Sequence, residues 1–168
     1  MAWYVVSVSL HILAACVWIG GMGFLAVAVL PVLCRPAYQA VAVPLIHAVA
    51  IQFRWIAWAT LGVLIATGIA NLRFRGYGWA GARDGSMWRS EFGHLLGIKL
   101  ATVALILAIS AWHDLLVGPQ FTQAALADPR SPRARRLRRV AAWIGRVMLI
   151  LSIGALALGV MLVRGVPQ

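Results

Sequence analysis

The sequence predicts an all-α integral membrane protein: an antiparallel bundle of four transmembrane helices in one domain (1–168), with both termini on the outer side. Three observations predict it. Hydrophobic residues make up 62% of the chain and charged residues 11%, against roughly 45–50% and 25% in globular proteins. Four apolar runs approach or exceed the ~20 residues that cross a ~30 Å hydrocarbon core. Most arginines gather near the ends of those runs, as orientation in a bilayer requires. Lipid offers the backbone no hydrogen-bond partners, so each run is read as a helix and the four as a closed bundle.

The first helix is expected over 3–30, with Pro31 and Pro36 breaking it. It carries His11, Cys16 and Trp18, and a patch of Gly20, Gly21 and Gly23 that lets a neighbouring helix approach closely. His11 and Trp18 stand two turns apart and share a face. A short loop over 36–43 leads to a second helix over 44–72, where Pro44 suits the first turn. His47 lies in that turn, and QFRWIAW (52–58) has the arginine–tryptophan mix of headgroup depth. Residues 73–91 read as a surface loop, with Trp79 and Trp88 on the interface. The third helix, 93–117, holds His94, Lys99, His113 and Asp114, and Gly118 and Pro119 end it. Turn-forming pairs Asp128-Pro129 and Ser131-Pro132 precede a fourth helix over 137–163. No internal repeat stands out.

The formal net charge of +11 does not point to nucleic acid. Six of the fourteen arginines crowd between Arg130 and Arg139, directly before an apolar segment, where they meet anionic lipid. Counting arginines on each side puts the 31–50 and 117–139 connections in the cytoplasm and both termini outside, as in a bacterial inner membrane. Cys16 and Cys34 would lie about 27 Å apart along one helix, too far for a disulfide. The opening stretch lacks a basic n-region and reads as a retained helix rather than a signal peptide.

Lys99, the only lysine, sits inside an apolar run. An ammonium there costs roughly 2.5–3.5 kcal/mol on insertion scales. With a rise of ~1.5 Å per residue, His11 and Lys99 fall at one height in the outer half, and His94 lies further out. His47, His113 and Asp114 fall near the inner interface. Each has a bland alternative: a helical histidine bonds to a neighbour, and a lysine snorkels along its stem. The chemical reading is narrower. Neutral imidazole ligates haem iron and also suits copper, so His11 and His94 are candidate metal ligands. Lys99 would ligate as a free amine or, charged, pair with a haem propionate. Four acidic residues, none at mid-membrane, exclude a carboxylate-based hydrolase or proton pump. No CxxC and no phosphate-cradling glycine loop is present.

The runs LHILAACVWIGGMGFL, RWIAWATLGVLIATGIANL, GIKLATVALILAISAWHD with its following GP, and RRVAAWIGRVMLILSIGALALGVMLVRG resemble the copper-resistance protein D (CopD) membrane family, in order, over essentially the whole chain. The resemblance implies copper uptake or tolerance. The same features are more distantly similar to the HemJ family of protoporphyrinogen oxidases, where a helix-one histidine and a helix-three lysine are associated with haem b and activity. His11 and Lys99 match those positions, and His113 falls where that family tends to have a histidine. Gly97-Ile98 stands before the lysine here in place of HemJ's tryptophan-histidine.

The leading expectation is therefore a b-type haem protein serving in redox chemistry or electron transfer, with an accessory subunit of a respiratory complex as one version. His11 would be the primary ligand, with Lys99 or His94 opposite. A second, inner haem on His47 and His113 is the extended version. The alternatives are copper uptake or resistance through His11, Cys16 and the methionines, and a structural helical subunit without cofactor.

Overall fold

A computed structural model of the chain describes residues 2–83, 85–129 and 131–164, and of Gln39, Trp79 and Ala80 the backbone. Four helical spans are long and apolar enough to cross a membrane: Ala2–Leu33, Ala40–Phe74, Glu91–Ala127 and Pro132–Arg164. Span one comprises α1 (Ala2–Phe24), a five-residue wide turn (Leu25–Val29) and α2 (Leu30–Leu33). Span two is α3 (Gln39–Phe74), and a short α4 (Trp79–Arg83) lies in the connection after it. Span three comprises α5 (Glu91–Trp112), a second wide turn (His113–Val117) and α6 (Gly118–Ala127). Span four is α7 (Pro132–Arg164). All described regular structure is helical.

The helices outrun their expected ends, and the prolines explain how. Pro31 and Pro119 do not break their spans. In each case the residue just before proline reaches back five positions: Leu30 N–H donates to the Leu25 carbonyl, and Gly118 N–H to that of His113. Opening the spiral there gives the pyrrolidine ring room that a regular turn denies it. Pro44 lies inside α3, which begins a turn earlier than expected. At the other end of α3, Gly76 takes φ +83° and its N–H bonds the Arg73 carbonyl at 3.0 Å, a glycine-terminated cap.

Span four also starts earlier than 137. Ser131 Oγ accepts from Ala134 N–H at 3.2 Å, and Pro132 opens the first turn. What reads as a turn is a helix start, so Arg133 to Arg139 lie on α7 rather than in a loop. Arg130, the first of the clustered arginines, lies outside the described residues. Ser90 caps α5 in the same way, accepting from Gly93 N–H at 3.1 Å.

The spans pack as two close pairs, α1 along α3 and α5 along α7. Trp18, Ala57, Leu61, Ile106, Ile144 and Met148 form the centre of the core. Most other large apolar side chains are exposed and face where lipid would be. Inside the core, Trp18 Nε1 donates to Ser152 Oγ at 2.8 Å, joining span one to span four. Ser152 passes its own hydrogen to the Met148 carbonyl at 2.7 Å. Trp18→Phe should lower stability by about 1–3 kcal/mol, the scale of one lost buried hydrogen bond plus imperfect repacking. Thermal unfolding in detergent would measure it.

The two pairs share a register that the apolar sequence hides. Pro119 stands as far beyond Lys99 as Pro31 stands beyond His11, and both wide turns begin at matching positions. Trp18 and Ile106, both in the core, correspond in the same way. In the partner spans, Arg54, Thr60 and Thr67 are spaced as Arg146, Ser152 and Gly159 are.

Candidate functional site

Polar side chains from three spans, and the backbone of the fourth, gather in the half of the bundle that holds the start of α1 and the end of α3. His11 Nδ1 lies 2.8 Å from Thr67 Oγ1. Thr67 already gives its hydroxyl hydrogen to the Val63 carbonyl at 2.6 Å. Its oxygen must therefore accept from the imidazole, which makes Nδ1 the protonated nitrogen and leaves the Nε2 lone pair open. An outer hydrogen bond that sets the tautomer and ring orientation is how proteins prepare a histidine ligand. The ring lies beside Gly68 of α3, where a Cβ would meet His11 Cε1 in ordinary van der Waals contact at 3.6 Å. Ser7 Oγ donates to the Thr67 carbonyl at 3.4 Å and tightens the same crossing.

Lys99 reaches toward span four. A Cβ on Gly159 would sit 3.1 Å from its Nζ, so the absence of a side chain there makes room for the amine. Among the described residues no hydrogen bond or ion pair holds Nζ. Lys99 lies close enough to both His11 and Arg75 for their charges to interact. Arg75 is fixed by the Leu162 carbonyl at 3.1 Å and by Tyr4 Oη at 3.4 Å. Asn71, between Thr67 and Arg75 on one stripe of α3, has a buried Oδ1 with no partner among the described residues.

The remaining predicted residues are placed apart. His94 is exposed in the first turn of α5, and no described contact joins it to His11. His47 Nδ1 pairs with Thr122 Oγ1 at 3.2 Å. His113 Nδ1 pairs with Asp114 Oδ1 at 3.0 Å, while Trp58 Nε1 donates to Asp114 Oδ2 at 2.9 Å. The two inner histidines thus answer to different partners. Spacing alone could have flagged Thr67, Asn71 and Arg75, which recur every four residues at the end of span two. Nothing in the sequence marks Gly159.

The cluster combines an imidazole nitrogen with two basic side chains, Lys99 and Arg75, of which Arg75 is held by hydrogen bonds. No described carboxylate takes part in it. An imidazole nitrogen with cations nearby is a donor set that a metal-centred group with acidic arms would use. A bare copper ion finds less. Among the described residues no group of three or more histidine, cysteine or acidic side chains could hold a metal, and Cys16 and Cys34 are both exposed.

A family model described as Copper resistance protein D matches residues 47–162, well over half of the chain. The chain belongs to the CopD family. It is accordingly a multi-pass membrane protein, and its four spans suit an inner membrane. No curated protein and no solved structure matches it. The CopD match includes Lys99, Arg75, Thr67 and Gly159 but begins beyond His11. It carries nothing for the more distant likeness to HemJ.

Proposed function

We propose that this CopD protein is one four-helix domain, with both termini outside, that holds a b-type haem at His11 and serves in redox chemistry or electron transfer as an accessory component of a larger membrane complex. The observation that carries the proposal is the Thr67 hydrogen bond, which frees Nε2 of an imidazole set within the bundle. Lys99 and Arg75 would neutralise the propionates. The haem would supply one-electron chemistry; the protein supplies the ligand, the counter-charges and a low-dielectric surround.

Copper handling is the second reading, favoured by the family match. Copper would then be cargo, met by His11, Cys16 and the methionines. A visible spectrum of purified protein, oxidised and then dithionite-reduced, with copper measured on the same sample, separates the two. Resolved reduced α and β bands are expected. A colourless sample with stoichiometric copper would put copper handling first, and a sample with neither would leave a structural subunit.

Lys99→Met keeps the volume and removes the charge. With haem bound, the loss of a nearby cation favours the oxidised iron, so the midpoint potential should fall by about 40 mV, the one-electron equivalent of ~1 kcal/mol. An unchanged potential in a redox titration would take Lys99 out of the site.

A further inference from the structure

The end of the bundle remote from His11 carries a second feature, independent of the haem reading. A cleft of about 750 Å³ opens between α5 and the first half of α7. Arg136, Arg139, Trp112, Trp143, Ile109 and Val147 are among the residues that line it. Along α7, the arginines, Trp143 and Val147 recur at three- and four-residue steps and so present one face. The order from guanidinium to indole to aliphatic side chain follows the order of headgroup, interface and acyl chain in a leaflet.

We infer that this cleft is a binding site for an anionic phospholipid, its phosphate on Arg136 and Arg139 and an acyl chain along Ile109 and Val147. Charge complementarity commits the occupant. Among the described residues neither guanidinium has a hydrogen bond or ion pair, and no acidic side chain lines the cleft. Trp112 is 48% exposed and Trp143 63% exposed, large apolar surfaces that a chain beside them would cover. Arg146 lies 5.4 Å from the Trp143 ring centroid, a cation–π contact that holds the indole in place. The helical start at Ser131 and Pro132 is what makes the site: in a loop, Arg136 and Arg139 would have no fixed face.

The test is native mass spectrometry of the full-length, delipidated protein titrated with phosphatidylglycerol or phosphatidylcholine. Wild-type protein should retain phosphatidylglycerol at markedly lower concentration. Arg136→Gln with Arg139→Gln should weaken that retention about 30-fold, two arginines' worth of surface attraction. Arg135→Gln with Arg138→Gln removes equal charge outside the cleft and should change it less than threefold. Val147→Trp, which fills the apolar end and keeps both arginines, should also weaken retention. Equal loss in the two arginine pairs would overturn the site in favour of diffuse attraction to the whole basic run. A wild-type protein without headgroup preference would overturn it outright, as would undiminished retention in Val147→Trp.

Discussion

Replacing His11 by alanine is expected to abolish the haem bands while leaving a folded protein. The side chain contacts Thr67 Oγ1 and the Leu64 backbone, so its loss should cost stability only about 1–3 kcal/mol. The loss of cofactor should be complete, because His11 is the imidazole that stands beside both Thr67 and Lys99. Thr67→Val offers the graded version. It keeps the imidazole but frees the tautomer and the ring, and should weaken haem retention about 10–100-fold, the usual effect of losing a ligand's outer hydrogen bond. Absorbance of protein purified with and without added haem reads both effects. Unaltered bands in His11→Ala would move the iron elsewhere.

The second large effect belongs to Gly93. It is buried in the first turn of α5, where a Cβ would run into the Met87 carbonyl and the Trp88 backbone. Neither can swing aside as a side chain could. Trp88 is tied by Nε1 to the Ala82 carbonyl at 3.0 Å, and Tyr77 stacks on Phe92 at 4.4 Å, so the connection lies fixed against the helix start. Gly93→Ala should cost more than ~3 kcal/mol, the upper range for overpacking, and lower the yield of folded protein. Gly21→Ala is the matched control. Its new methyl would first meet the Phe53 ring, which rotation about χ1 and χ2 can move, so its cost should stay near ~1 kcal/mol. Circular dichroism melts in detergent compare the two.

The four spans were legible because apolar length is a property of sequence alone. Their ends were not, for a reason visible at Pro31 and Pro119. The proline rule is local and forbids a regular turn, whereas the backbone answers with a wide one and goes on. At Ser131 and Pro132 the residues were legible and ambiguous, since cap and turn use the same chemistry. His11 and Lys99 drew notice through the cost of polar groups in lipid. Thr67 and Asn71 did not, because such residues are common in membrane helices and their meaning depends on what faces them. Gly159 acquires a role only once Lys99 is seen beside it. The inner residues were ranked together by depth, a coordinate that says nothing about which side of a helix a residue occupies.

The wide turns have a consequence for where the bilayer stops. Each widened turn followed by proline disturbs the backbone ladder, and hydrocarbon cannot solvate a freed carbonyl. Measured from the start of its helix, the second lies at a telling distance: α5, with 22 residues, runs about 33 Å before widening. That matches the thickness of a hydrocarbon core with slight tilt. The residues beyond, with Arg35 after one turn and Gln120, Thr122 and Gln123 after the other, suit water and headgroups. Span three thus carries a ruler, and a bilayer much thicker than its setting would have to thin locally, since lengthening the apolar stretch would draw those carbonyls into oil.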